Sequence, residues 1–243
     1  MRTTTAFSSI LLVSLFFSAP QWVHAQQDST IVANYTAGQP TSRKAIRFSL
    51  NQLTLPAGLI ATGIFLNNNS PHSVKNWLAK ERNEHMPGFH SGIDNYLLVA
   101  PIALAYGLDA VGIKSKTDIL NRSVILLKGE LIMYGTVNLL KNTTGVLRPD
   151  GSNRYSFPSG HTAQAFAAAT FLSEEYKDRF KWMPYVSYGM ASTVGMMRIA
   201  NNKHYISDVL LGAGIGILSM KVAYWTHQYR WGQKKEFKKT LRY

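Results

Sequence analysis

The sequence contains no cysteine, which excludes disulfide bonds, thiolate nucleophiles and zinc–thiolate sites. It is also short of acidic residues, with 13 Asp and Glu against 26 Lys and Arg and a formal net charge of +13. Such an excess is compatible with binding to nucleic acid, to an anionic membrane surface or to an anionic substrate. Basic runs interleaved with aromatic residues are missing, so we expect no nucleic-acid partner.

The N-terminus has the residue order of a secretory signal. Arg2 is followed by an apolar run over residues 10–19 and by a small-residue segment that ends at Ala25. This order predicts a signal peptide over residues 1–25 with cleavage after Ala25. The alternative is an uncleaved anchor helix, which is disfavoured because the apolar run is shorter than the ~20 residues that span a bilayer.

Six apolar blocks follow, and their lengths and their mixture of Ala, Leu and Gly favour helices over strands. We therefore predict an all-α fold, a bundle of five to six helices embedded in a membrane. A soluble periplasmic bundle stays open as an alternative, because charged residues such as Lys128 and Glu130 interrupt some blocks. The blocks cover residues 50–66, 96–113, 124–140, 160–172, 183–197 and 209–225.

Three polar segments lie beside these blocks, at residues 141–149 (KNTTGVLRP), 157–161 (FPSGH) and 198–208 (RIANNKHYISD). Phosphoryl transfer requires positive groups for the phosphate oxygens, an in-line nucleophile and a proton donor for the leaving oxygen. The segments contain residue types for all three tasks. The cations are Lys141, Arg148 and Arg198.

The second segment has the pattern of a helix start. Pro158 precedes a helix that Gly160 and His161 would open, so the backbone amides of Ser159 and its neighbours could bind an anion at the positive end of this helix. Gly160 would allow a phosphate to approach the backbone closely.

The third segment provides a histidine and a carboxylate four residues apart. On a helix, His204 and Asp208 would share a face, and the carboxylate would fix the tautomer of the imidazole. We predict that His204 is a nucleophile and that His161, from another helix, is the general acid. His90 and Asp94 precede the second block and could border the pocket, but we favour their interpretation as a surface histidine and a helix cap.

In order and spacing the three segments resemble the type 2 phosphatidic acid phosphatase family, which includes membrane lipid phosphatases, soluble bacterial acid phosphatases and vanadium haloperoxidases. The family pattern is Lys, six residues, Arg-Pro, then Pro-Ser-Gly-His, then Ser-Arg, five residues, His, three residues, Asp. The resemblance covers about residues 90–228. Met197 departs from it, because the family has Ser at this position.

The resemblance implies that His204 forms a phosphohistidine, that Asp208 orients it and that His161 protonates the leaving group. It also implies that no metal or other cofactor is needed, in agreement with three cations that would repel a divalent ion. The phosphate would be bound by Lys141, Arg148, Ser159, Gly160 and Arg198.

In the membrane branch of the family the catalytic segments face outward. If the signal is cleaved, the mature N-terminus starts outside, so an even number of crossings must precede Lys141, and the blocks at 96–113 and 124–140 supply two. Residues 50–66 are therefore predicted not to cross fully and to lie at the interface or against the bundle, and the same follows if the N-terminal segment is kept as an anchor. Basic residues in segments 114–122, 177–181 and 229–243 agree with this topology under the positive-inside rule. The expected location is the inner membrane of a bacterial cell envelope with the active site facing the periplasm. Residues 26–90 would form a lead-in with an interfacial helix, 91–228 the phosphatase bundle and 229–243 a basic tail.

The expected partner is a phosphorylated membrane lipid that carries a phosphomonoester or diphosphate. Lipid A, polyprenyl diphosphate, phosphatidylglycerol phosphate and phosphatidic acid are all candidates. A soluble nonspecific acid phosphatase, a vanadium-dependent haloperoxidase and a catalytically silent membrane scaffold are the alternatives.

Overall fold

A computed structural model describes residues 48–228, all within one compact unit of the chain. The predicted signal peptide and the predicted basic tail lie outside the described residues. Within them, every regular element is a helix, which confirms the all-α prediction. A short 3₁₀ helix, Leu50–Gln52, precedes eight α-helices: α1 (Thr54–Leu66), α2 (Val74–His85), α3 (Ile93–Leu97), α4 (Ala100–Ala110), α5 (Ile119–Thr144), α6 (Gly160–Tyr176), α7 (Met183–Ala200) and α8 (Ile206–Trp225).

The apolar blocks coincide with these helices, with one division and one addition. The block at residues 96–113 is divided between α3 and α4. Helix α2 was not predicted, because its sequence is polar and has no apolar stripe that would distinguish it from a loop. It begins with a local signal instead, since the Ser73 hydroxyl accepts a hydrogen bond from the N–H of Asn76 and so caps the first turn.

Helix α8 lies at the centre of the bundle and packs against α1, α5 and α6. Glycines make the close contacts possible, as expected from the small residues of this block. A Cβ atom on Gly216 would lie 2.2 Å from the carbonyl oxygen of Ala163, and one on Gly212 would lie 2.6 Å from that of Ser159. Gly214 faces the backbone of α1 in the same way. The α1 helix is therefore part of the packed bundle, and its 13 residues span about 20 Å.

Helices α4 to α8 alternate in direction, so the bundle has two distinct ends. The C-termini of α5 and α7 and the N-termini of α6 and α8 lie at one end, which we call the site end. At the opposite end the α4–α5 and α6–α7 connections meet: the Thr117 N–H donates to Glu175 Oε2 at 2.8 Å, and Lys116 pairs with Asp178 at 2.7 Å. All three polar segments of the sequence lie at the site end.

Candidate active site

A buried histidine–carboxylate pair lies at the start of α8. His204, in the α7–α8 connection, is 2% exposed, and its Nδ1 lies 3.3 Å from Oδ2 of the fully buried Asp208. The hydroxyls of Ser156 and Ser207 and the N–H of Tyr205 also donate to this carboxylate. Because a carboxylate surrounded by donors is an acceptor, Nδ1 carries the imidazole proton and Nε2 has a free lone pair.

The surroundings of His204 favour the neutral imidazole. Burial lowers the pKa of His204 to about 4, the nearby Asp208 opposes this shift, and the positive charges of Lys141 and Arg198 lower the pKa further. At neutral pH the ring is therefore uncharged. A neutral imidazole with a fixed tautomer is the form that can act as a nucleophile.

The three predicted cations gather around this histidine. Arg198 lies in the last turn of α7 and donates from Nη1 to Asp94 Oδ2 at 2.7 Å. The Lys141 ammonium, at the end of α5, donates to the carbonyl oxygen of Tyr155 at 2.6 Å. Burial and the neighbouring Arg198 both lower the pKa of Arg148, as expected where guanidinium groups are held close together.

Two of these cations keep unused donors. Within residues 48–228, the Nε atoms of Arg148 and Arg198 are buried and have no hydrogen-bond partner. A buried donor without an acceptor costs about 1–3 kcal/mol, so such donors are uncommon unless a ligand completes them. A tetrahedral anion with several oxygen acceptors would satisfy both.

The second polar segment caps α6 at the same place. Ser159 is the N-cap, and its hydroxyl accepts from the N–H of Thr162. The Ser159 N–H donates to the carbonyl oxygen of Asp208 at 3.0 Å, so the expectation that this amide binds an anion was wrong. The N–H groups of Gly160 and His161 have no carbonyl partner within the helix and are the ones that could serve.

Gly160 and His161 also border the group of cations. A Cβ atom on Gly160 would lie 3.8 Å from Cε of Lys141, which shows how close the α6 backbone is to the ammonium group. His161 Nε2 lies 3.0 Å from the side-chain oxygen of Asn95, and burial together with the charges of Arg198 and Arg148 lowers the pKa of its ring. The structure thus brings all eight predicted site residues together at one end of the bundle.

The interpretation of Asp94 as a helix cap was wrong, because Gly92 is the N-cap of α3 and Asp94 is 1% exposed and paired with Arg198. The two partners are 104 positions apart in the sequence, which explains the error, since no local pattern links them. Ser156 and Asn95 were missed for the same reason. His90 is exposed, as predicted.

One group of side chains in residues 48–228 has the proximity of a metal site, namely Glu81, Glu84 and His85 on α2. It includes none of the predicted site residues. At the site end, the carboxylates of Asp94 and Asp208 face three cations, and this excess of positive charge favours an anion over a divalent cation.

A buried imidazole that faces a cluster of cations is suited to a protein that binds an anion such as phosphate. Residues 122–232 match the family model of the PAP2 superfamily, and this stretch contains all three polar segments. This part of the chain is similar to the PAP2 superfamily, in agreement with the resemblance of the three polar segments.

Three similar proteins illustrate the relationship. The chain is 41% identical over 138 residues to a lipid A 1-phosphatase of Porphyromonas gingivalis, an overlap of 56% of this chain and 31% of that protein. This chain thus spans about a third of the relative's length. Among solved structures, LpxE of Aquifex aeolicus aligns with a TM-score of 0.45 and 22% identity, over 59% of this chain and 92% of the other. A transmembrane PAP2 type phosphatidylglycerolphosphate phosphatase of Bacillus subtilis aligns with a TM-score of 0.42 and 20% identity, over 70% of this chain and 94% of the other.

Proposed function

We propose that this protein is a metal-independent phosphatase that removes phosphate from a membrane lipid through a phosphohistidine at His204. The observation that carries the proposal is the buried, neutral imidazole of His204, tied to Asp208 and facing cations with unused donors. A nucleophile beside a preorganised anion site is what phosphoryl transfer requires.

In the first step, Nε2 of His204 attacks phosphorus as the bond to the lipid oxygen breaks. His161 gives a proton to the leaving oxygen, and the cations stabilise the charge on the equatorial oxygens. In the second step, a water loses a proton to His161, attacks phosphorus and breaks the P–N bond. Inorganic phosphate leaves, and both histidines return to their starting protonation states.

The exposed surface of α5 supports a membrane location. By length and composition α5 and α8 are able to span a bilayer; the apolar window of α8 is 72% buried, whereas that of α5 is only 22% buried. A long apolar face without a covering helix is unfavourable in water. The exposed apolar residues of α5 include Leu127, Leu131, Tyr134 and Leu139, each more than half exposed.

The charges of the two ends support the orientation. The opposite end has the lysines and arginines of the two connections that meet there, including Lys116 and Lys177, and the positive-inside rule assigns such segments to the cytoplasm. The site end would then face the periplasm. A reporter fused after Tyr243 is expected to be cytoplasmic in intact cells, and a periplasmic reporter would contradict this orientation.

Lipid A is the substrate we propose, because the similar Porphyromonas gingivalis protein is a lipid A 1-phosphatase. The test is phosphate release by detergent-purified protein, in the presence of a chelator, from lipid A, polyprenyl diphosphate, phosphatidylglycerol phosphate and phosphatidic acid. We expect the highest kcat/KM on lipid A and no loss with the chelator. Preference for another lipid would overturn the substrate, and strict dependence on a divalent metal would overturn the chemistry.

A soluble acid phosphatase would use the same residues, and extraction distinguishes the two. We expect detergent to be required because of the exposed face of α5. Release by osmotic shock alone would favour the soluble enzyme, whereas vanadate-dependent bromide oxidation without phosphate release would indicate a haloperoxidase.

A further inference from the structure

A buried lysine lies next to the site but outside the residues that match the family model. Lys75 belongs to α2 and is 3% exposed. Its ammonium donates to the side-chain oxygens of Asn67 and Asn69, both at 3.0 Å, and lies 4.7 Å from the centre of the Tyr205 ring. Among the described residues, no carboxylate oxygen lies within ion-pair distance of it. A buried ammonium without a directly paired carboxylate is costly, which points to a role for this side chain.

Tyr205 connects this lysine to the predicted nucleophile. It directly follows His204 and is the N-cap residue of α8. Its N–H donates at 2.9 Å to Oδ2 of Asp208, the same oxygen that lies next to Nδ1 of His204. A group that fixes the Tyr205 ring therefore also restrains the Tyr205 backbone, which is bonded to His204 and donates to Asp208.

Helix α2, which contains Lys75, also contacts the C-terminal end of α7, next to the loop that contains His204. Arg82, two turns further along α2, donates from Nε and Nη2 to the carbonyl oxygen of Ala200, at 2.8 and 2.6 Å. Lys75, Arg82, His204 and Tyr205 all line one small cavity. The positive charge of Lys75 also acts on Asp208. Helix α2 is thus docked on the α7–α8 connection by hydrogen bonds and by a cation–π contact.

We propose that Lys75 is a positioning residue for His204. Its ammonium holds the Tyr205 ring, and through the Tyr205 backbone it fixes Asp208 and the imidazole in the orientation for attack. The inference rests on the proposed function in one respect, namely that His204 is the nucleophile. Lys75 does not touch the substrate in this account, so it acts on kcat rather than on KM.

The first test is steady-state kinetics of the full-length protein on a soluble phosphomonoester. Lys75→Met is expected to lower kcat by roughly tenfold to a hundredfold with little change in KM, because a small misplacement of a reacting group has effects of this size. Lys75→Arg keeps a cation over the ring and should recover most of the rate. The matched control is Lys80→Met, a 72% exposed lysine of the same helix, which should behave as wild type. A wild-type kcat for Lys75→Met would overturn the proposal.

A double-mutant cycle tests the route of the effect. Tyr205→Leu removes the ring and leaves Lys75 in place. This single variant still tests the role of the ring if Lys75→Met does not fold. If Lys75 acts through the ring, the double variant should be no slower than the slower single variant. Effects that multiply in full would contradict the proposed route.

An activity-independent test separates this inference from the proposed function. NMR spectra of histidine-labelled protein, with the His204 signals assigned by His204→Gln, report the tautomer and surroundings of the ring directly. We expect Lys75→Met and Tyr205→Leu to shift the His204 signals and Lys80→Met to leave them unchanged. Unshifted signals in Lys75→Met and Tyr205→Leu would overturn the inference. Absence of phosphate release by the wild type would instead refute the proposed function and leave the NMR result to decide on Lys75.

Discussion

The two ends of the bundle both bury charged side chains, but they satisfy them differently. At the opposite end, Glu174 is bound by Lys177 at 2.6 Å and by Lys221, so its charge is neutralised. At the site end, and within the part of the chain that the structure describes, Arg148 has an unused buried donor and the hydrogen bond of the Lys141 ammonium goes to a backbone carbonyl. The paired charges hold helices together, and the uncompensated ones are set up for an anion.

Arg122 is a buried charged residue of the opposite end that also has an unpaired donor among the described residues. It lies at the opposite end, and within residues 48–228 its Nε also has no partner. Its terminal nitrogens, however, donate to Ser115 and Asp109, and its guanidinium group lies 4.4 Å from the centre of the Tyr106 ring. This arginine is thus compensated by its neighbours, whereas Arg148 is buried beside the positive charges of Arg198 and Lys141, which Asp150 and Asp208 oppose.

The largest expected effect is at the nucleophile. His204→Ala should leave the protein folded and lower kcat by at least about a thousandfold, since no other group can form the covalent intermediate. Phosphate release and a thermal unfolding curve, measured on the same preparation, check both parts. Wild-type phosphate release by this variant would remove His204 from the mechanism.

The next effect concerns the uncompensated cations. Arg148→Met should lower kcat/KM by roughly a hundredfold to a thousandfold, as loss of a preorganised donor does. Its melting temperature should stay the same or rise, because burial and the charge of Arg198 disfavour the native guanidinium and Asp150 and Asp208 only oppose this effect. Arg154→Met, an exposed arginine of the same loop, is the control and should change neither quantity. If Arg148→Met were destabilised but had normal kinetics, Arg148 would stabilise the fold like the charges of the opposite end, and the proposed difference between the two ends would be wrong.

At the opposite end, loss of a charge should lower stability and leave activity unchanged. Glu174→Gln leaves two lysines without their counterion and should lower the free energy of unfolding by about 3 kcal/mol, while the folded protein keeps its kcat. The control is Asp178→Asn, whose side chain is 61% exposed and whose loss should cost less than about 1 kcal/mol. Denaturant titration in detergent measures both. Equal losses in the two variants would contradict the role given to Glu174.

The smallest effect is on pH dependence. The pKa of His204 is lowered to about 4, so protonation of the nucleophile should reduce kcat/KM only below about pH 5. The unfolded chain binds this proton more readily than the native protein, so native stability should fall as the pH decreases from 6.5 towards 4. His204→Gln should remove that part of the pH dependence. A wild-type loss of activity with a midpoint at His204's ordinary pKa of 6.5 would contradict the buried, neutral ring.

Much of this arrangement could be predicted from the sequence. The apolar blocks predicted the helices of the bundle, because block length and small residues are local properties. The eight candidate site residues could be named because the spacing of Lys141, Arg148 and the later motifs is read along the chain. The side chains that complete the site were not predictable in this way. Asp94 and Lys75 reach Arg198 and Tyr205 only through tertiary packing, and polar helix α2 has no pattern that predicts where it docks.

The most direct test of the account is to trap the covalent intermediate. Protein mixed with ³²P-labelled substrate and quenched in base within one turnover should carry label that is stable to base, labile to acid and located by peptide mapping on His204. The His204→Ala variant should carry none. Rapid phosphate release by the wild type without any labelled histidine, or with label on another residue, would contradict the mechanism.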